Sequence, residues 1–447
     1  MILNPQPTAL SAQGRYLVLI AVFLGWMFAG MEMSLMIPAT RPAIQDFLSA
    51  HPPKTGESVN QVVRIETRAD QWLSWLVSAF LLGAALGGIV FGWIADRAGR
   101  VKAMGFSILC YSSITALSYF VTSPEQLLAL RFLACLGIGG MWPSGVALAT
   151  EAWPSVSRPA LAGLIGAAAN VGFLILGLIM LYHPITRESW RWVLLLGGTP
   201  VVLGAFVLAF VPESPQWLAE KQAPASLTAT PVAEVFRPPL LRWTMLGIAL
   251  GTIPLLGGWA SGQRLVPWAG QVGELQGLPG LKASTQTLQA LGAVIGSLSG
   301  GWLASRLGRR RSYFLISLGS LALSAYIFLT LTPTRAEFLW ATFALGLVST
   351  SFFGWLPYFL PELFPTRVRA TGSGVTYNFG RILSAAALLS STALSALFQG
   401  DIAKMGATTS LVYALGLVLA WFIPRSDAAW SSQITREDAP PVKRSLF

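Results

Sequence analysis

About twelve apolar runs divide this chain, and they limit what it can fold into more than any other feature. They fall near 16–38, 72–95, 101–121, 125–150, 158–181, 190–211, 241–268, 283–305, 311–331, 336–360, 369–397 and 404–423. A helix needs roughly 20 mostly apolar residues to cross a bilayer. The runs meet that length, and they are too many and too long for a soluble core. Of the 447 residues only 11% are charged, against about 25% in soluble domains. Strand-like alternation is absent, which argues against a β-barrel. Segments such as Leu161 to Gly177 are rich in Gly and Ala, and small residues let membrane helices approach closely. The expectation is an all-α polytopic membrane protein.

The net charge is +11, yet the basic residues sit in short loops, so topology explains them better than nucleic acid does. With the N-terminus inside, the inner loops hold Arg97, Arg100, Lys102, Arg158, Arg306, Arg309, Arg310, Arg311, Arg367 and Arg369. The outer loops hold about half as many: Arg187, Arg191, Lys282, Arg335 and Lys404. That bias puts both termini in the cytoplasm, with the cell (inner) membrane as the expected location. Cys110 and Cys135 both fall in apolar runs, so neither a disulfide framework nor a zinc site follows. His51 and His183 fall in loops. The first run reads as a membrane helix rather than a signal peptide, since no small-residue cleavage site follows it.

The runs split six and six around a polar stretch, giving an N-terminal bundle over 1–211, a cytoplasmic linker over 212–240 and a C-terminal bundle over 241–447. A second long loop, about 39–70, carries balanced charge and reads as external and partly ordered. Two motifs recur between the halves. Gly92-Trp-Ile-Ala-Asp-Arg-Ala-Gly-Arg100 returns as Gly301-Trp-Leu-Ala-Ser-Arg-Leu-Gly-Arg309. Glu151-Ala-Trp-Pro-Ser-Val-Ser-Arg158 returns as Glu362-Leu-Phe-Pro-Thr-Arg-Val-Arg369. The offsets are 209 and 211 residues. Such a repeat predicts two six-helix bundles related by a pseudo-two-fold axis, with a site between them near the midplane.

At these residues the sequence resembles the major facilitator superfamily. The Gly92–Arg100 stretch is similar to that family's loop between its second and third helices, and the likeness covers essentially the whole chain. Pro212-Glu-Ser-Pro-Gln-Trp-Leu218 resembles the segment ending helix six in sugar porters and organic-ion transporters, with Gln216 where Arg is usual. Gly30-Met-Glu-Met resembles the acid-bearing helix one of aromatic-acid:proton symporters, and Asn378-Phe-Gly-Arg381 their arginine-bearing helix eleven. Helix five lacks the Gly-Pro pair of drug antiporters, and helix seven has one Gln where sugar porters have two. The resemblance implies a secondary transporter working by alternating access, with no resident cofactor. It also implies cytoplasmic charge clasps, built here from Asp96, Arg97, Arg100, Glu151, Arg158, Glu213, Arg306, Glu362 and Arg369.

Several polar residues lie deep in the runs. Glu32 is flanked by apolar neighbours; a charge at a helix centre costs about 2.5–3.5 kcal/mol on insertion scales and usually marks an ion or proton path. It is the candidate proton-coupling residue, the alternative being a structural carboxylate. Arg381 shares a helix face with Asn378, near Tyr377. Its guanidinium is a planar fork suited to a carboxylate; the alternatives are a pair with Glu32 or another acid, or snorkelling. Arg131, Asn170, Trp259, Gln263, Gln286 and Gln289 complete the candidate substrate-binding set, against helix–helix hydrogen bonding. Trp26, Trp142 and Trp355 are deep enough to line a cavity. The function expected is proton symport of a small organic anion by a monomer in the bilayer. The alternatives are a porter for a sugar or other neutral solute and a non-transporting membrane sensor. An enzyme is disfavoured, because no metal cluster, phosphate loop or nucleophile–base pair is present.

Overall fold

A computed structural model describes residues 10–50, 61–153, 158–222, 232–364, 368–390 and 392–424. Twelve long helical spans account for nearly all of them. The first six are α1 (Ala12–Ala50), α2 (Gln61–Ala98), α3 (Arg100–Leu117), α4 (Pro124–Ala152), α5 (Arg158–Tyr182) and α6 (Trp192–Phe210). The second six are α7 (Leu241–Gln276), α8 (Leu281–Leu307), α9 (Arg309–Thr330), α10 (Ala336–Glu362), α11 (Arg369–Ser390) and α12 (Ile402–Phe422). Each span overlaps one apolar run. The expected loop over 39–70 is corrected, because α1 runs on to Ala50 and α2 begins at Gln61. Pro38 and Pro42 lie inside α1 without ending it.

Local chemistry sets the helix ends. Gly99 and Gly308 occupy equivalent places in the repeated motif, and both have positive φ, 116° and 80°. That left-handed region suits glycine, so each copy of the motif makes the same tight turn between consecutive helices. Ser123 caps α4 by accepting from the Gln126 amide at 3.3 Å, with Pro124 at the first helical position. Asp401 caps α12 through the Lys404 amide at 3.1 Å.

Within each half, helices meet through small residues. A Cβ at Gly139 of α4 would sit 2.1 Å from the Ala84 carbonyl oxygen of α2. In the second half a Cβ at Gly346 of α10 would sit 2.2 Å from the Gln289 carbonyl oxygen of α8. The same kind of backbone approach therefore recurs at α2–α4 and α8–α10, as the internal repeat requires.

Among the described residues, ten helices are long and apolar enough to cross a membrane, and large apolar side chains such as Ile89, Val202, Leu329 and Trp340 face outward. The helix α8 is not one of the ten, and both α8 and α11 carry polar groups at the seam between the halves. A core of the first half, built on Val22, Phe80 and Ile138, continues across that seam to Ala260, Ala290 and Ala385.

Candidate functional site

A cavity of about 160 Å³ lies on the seam. It is lined by α1, α2, α4 and α5 on one side and by α7, α8, α10 and α11 on the other. The first half supplies mainly aromatic surface: Trp26, Phe80, Trp142 and Phe173. Trp26 and Trp142 pack at 5.0 Å. The second half supplies most of the polarity through Gln263, Gln286, Gln289, Thr350 and Arg381, with Trp259 and Tyr377 beside them.

A break in α7 places several of these groups. The α-helix stops at Leu256, a π-helical turn covers Gly257–Ser261, a 3-10 turn covers Gly262–Arg264, and the α-helix resumes at Leu265. Pro254 starts the irregularity by removing a backbone donor. Single π turns inside α-helices recur at functional sites. Here the turn brings Trp259 against Phe80 at 4.7 Å and Phe173 at 6.3 Å, both from the other half. The Gln289 side chain donates to the Gly262 carbonyl at 2.9 Å and satisfies an acceptor near the break.

Neutral polar contacts cross the seam around the cavity. Asn170 Nδ2 donates to Ser297 Oγ at 2.8 Å, Gln286 Nε2 to the Phe173 carbonyl at 3.4 Å, and Ser78 Oγ to the Ala385 carbonyl at 3.2 Å. The side-chain oxygens of Gln263 and Gln286 are buried and have no protein partner.

Three arginines are buried among the described residues: Arg131, Arg264 and Arg381. Arg131 pairs with Glu32 and Arg264 with Asp70. Among the described residues Arg381 pairs with no acid. It donates to the Ala84 carbonyl at 3.0 Å and lies over the Tyr377 ring at 4.8 Å. Asn378 Oδ1 stands 3.5 Å from it and is not part of the cavity wall. The expected alternative of an Arg381–Glu32 pair is therefore not what forms.

Glu32 is 1% exposed and off the cavity, although its neighbour Met33 lines it. One residue along a helix is a turn of about 100°, enough to change faces. Thr115 donates to Glu32 Oε1 at 3.0 Å, while Oε2 has no partner. Arg131 also donates to the carbonyls of Glu32 and Met33, each at 3.3 Å. So Arg131, expected at the substrate, sits instead behind the wall; its guanidinium is 6.0 Å from the Phe80 ring centre. Trp355 likewise packs in the core of the second half rather than at the cavity.

Links between the halves gather at the end away from the Gly92–Arg100 loop. Asp70 of α2 meets Arg264 of α7, and Arg41 of α1 meets Glu274 of α7. Lys282 of α8 donates to the carbonyls of Pro38, at 3.3 Å, and Ile185, at 2.8 Å. The loop-motif charges behave differently. Asp96 and Arg100 pair at 2.5 Å, Arg100 Nε is 3.7 Å from Glu151, and Glu362 pairs with Arg309. Glu213 accepts from the Arg100 and Val101 amides at 3.0 and 3.1 Å, neutralising the start of α3. Arg97 and Arg306 lie over Trp93 and Trp302, at 4.2 and 5.3 Å, outside these clusters. The side chains of Arg158 and Arg369 lie outside the described residues. Among the described residues, every ion pair at this end stays within one half.

The sequence profile of the Major Facilitator Superfamily matches residues 18–388. The chain belongs to that superfamily. A cis,cis-muconate transport protein of Acinetobacter baylyi is 29% identical over 325 residues, which is 70% of this chain and 76% of that protein. The niacin transporter NiaP of the same organism is 26% identical over 392 residues, 82% and 84% of the two chains. In fold, the chain resembles the xylose transporter XylE from E. coli, solved in a partially occluded inward open conformation, with a TM-score of 0.69 at 15% identity over 93% of this chain and 99% of that one.

The chain is thus a multi-pass major facilitator, a transporter and not an enzyme. In this facilitator the sequence singles out Arg381, Tyr377, Gln286, Gln289, Gln263, Trp259 and Asn170, and all seven line one cavity. Sequence reasoning passes over Phe80 and Phe173, which look like any core phenylalanine. It also passes over the Asp70–Arg264 pair. Arg264 lies inside an apolar run, which is a usable signal; Asp70 reads as a loop charge until α2 is seen to begin at Gln61.

Proposed function

We propose that this transporter carries a small organic carboxylate, coupled to proton movement in the same direction. The observation that carries the reading is Arg381, a buried guanidinium at the cavity with no acid partner among the described residues. A buried charge without a counter-ion is expensive, and a substrate carboxylate would supply that counter-ion in bidentate geometry. The aromatic walls suit a flat, unsaturated or ring-bearing body. Niacin and cis,cis-muconate, named for two relatives, are both carboxylates of that kind. A neutral polar solute is the second reading, favoured by the unpartnered amide oxygens of Gln263 and Gln286, which would accept from hydroxyls.

Nicotinate and nicotinamide separate the two readings, because they share a ring and differ in charge. In proteoliposome counterflow, wild type exchanges nicotinate far better than nicotinamide, and Arg381→Gln loses that preference. Equal losses for both solutes in Arg381→Gln would make Arg381 a structural group.

Glu32 is the proton carrier in this reading, with Arg131 as the partner it leaves on protonation. The pair touches the cavity through Phe80, so charge at Glu32 and occupancy of the cavity bear on the same side chains. Glu32→Gln retains counterflow, which needs no net proton movement, and loses accumulation driven by a pH gradient. Accumulation at the wild-type level would exclude Glu32 as the coupling site. In the cell membrane with cytoplasmic termini, the sealed end faces outward and the present state is inward-facing.

A further inference from the structure

A second cavity, about 450 Å³, lies on the outer surface of the second half, where the start of α9 meets the end of α12. It is lined by Arg310, Arg311, Phe314, Leu315, Ala420 and Trp421. We propose that this groove binds one anionic phospholipid, its phosphate held by Arg310 and Arg311 and an acyl chain laid along Phe314 and Leu315.

Among the described residues, the arginines here are not all neutralised by acids. Of the four in the Arg306–Arg311 stretch, Arg309 pairs with Glu362, and among the described residues the others meet no acid. Arg310 stacks on the Trp421 ring at 4.2 Å, a contact that fixes the guanidinium plane and leaves its edge donors free. Arg311 is exposed. The first turn of α9 contains no acid, so these cations stand against the positive end of a helix dipole, an arrangement that favours an added anion. The bias of basic residues toward one membrane face explains their number. It does not explain a groove in which two of them flank an apolar floor.

The surroundings point to a lipid rather than a free anion. Trp421 is 65% exposed and Leu315 48%, and the outward face of α12 continues with Leu411, Leu415 and Val418, each about 60% exposed. These side chains face the hydrocarbon, and an exposed Trp at a helix end sits at headgroup level. A basic pocket at the membrane surface with an apolar slope below it matches the two parts of a phospholipid.

Native mass spectrometry of the full chain, exchanged into mixed phosphatidylglycerol and phosphatidylethanolamine, tests the site. Wild type retains one more phosphatidylglycerol than Arg310→Gln/Arg311→Gln, whose affinity for it falls on the order of thirtyfold. Arg187→Gln/Arg335→Gln, an equal charge loss at the other end, retains the wild-type number. Trp421→Leu, which keeps both charges, loses the same lipid and serves if the double variant does not fold. The proposal fails if the Arg310/Arg311 and Trp421 variants bind as wild type, if the Arg187/Arg335 variant loses as much, or if inorganic phosphate displaces the lipid at equal concentration. It fails too if binding appears only after residues 428–447 are removed, because the groove would then belong to the chain's own acidic Glu437-Asp438 segment.

Discussion

Phe80 is the residue on which the proposed proton carrier and the cavity converge. One neighbour of its ring is the Arg131 guanidinium, bound to Glu32; another is Trp259, on the π turn of α7. Packed side chains of this sort carry coupling between sites, with single substitutions worth about 0.5–2 kcal/mol. Phe80→Leu keeps the volume apolar but removes the ring face. It is expected to leave counterflow within about twofold of wild type and cut pH-driven accumulation on the order of tenfold; parallel loss of both would show a simple packing defect. Legibility at this scale was selective. Arg381 stands out in sequence because a charge inside an apolar run is rare, and a rare cost implies a use. The facing of Glu32 does not stand out, because a one-residue change in helix phase separates the cavity wall from the space behind it. Phe80 has no signal at all: its role lies in two contacts from distant parts of the chain.

The elements themselves were readable, because hydropathy acts over twenty residues at a time and tolerates local exceptions. The ends of α1 and α2 were less so. The last turns of α1 carry Arg41 and Asp46 and the first turns of α2 carry Asp70, charges that resemble a loop by composition and become helix only when partners elsewhere in the fold accept them. Asp46 is held by Trp190 at 3.1 Å and Arg191 at 2.5 Å, and Asp70 by Arg264. The Asp70–Arg264 pair also secures the break in α7, because Arg264 Nε donates to the Ala260 carbonyl at 2.7 Å within the π turn. Removing one member of a buried pair strands the other, at a cost of about 3–5 kcal/mol. Asp70→Asn should therefore lower the apparent Tm in detergent more than Asp70→Asn/Arg264→Gln does. A double variant less stable than either single would refute the pair as a self-contained unit.

For the molecule as a whole, the ion pairs that join the halves among the described residues sit at one end, and the charge clusters described at the other end stay within each half. Rocking of the bundles must then break the first set. Cysteines placed at Arg41 and Glu274, joined by a short bifunctional thiol reagent with a reducible spacer, should lock the present state and stop counterflow, with activity returning on reduction. Full counterflow in the cross-linked protein would mean that this end does not open during transport. Cys110 and Cys135, both free and in the first half, are replaced beforehand. The repeat made the two-bundle plan legible, whereas the placement of links at one end was not, since it belongs to a state rather than to a pattern. The polarity of α8 has one more consequence, for synthesis. This helix is not among those apolar enough to span a membrane independently, so it is not expected to leave the insertion machinery for lipid readily by itself. It must wait for companions already in the bilayer, with α5 waiting to receive it across the seam. The groups that make room for a solute thus oblige the second half of the chain to be born against the first.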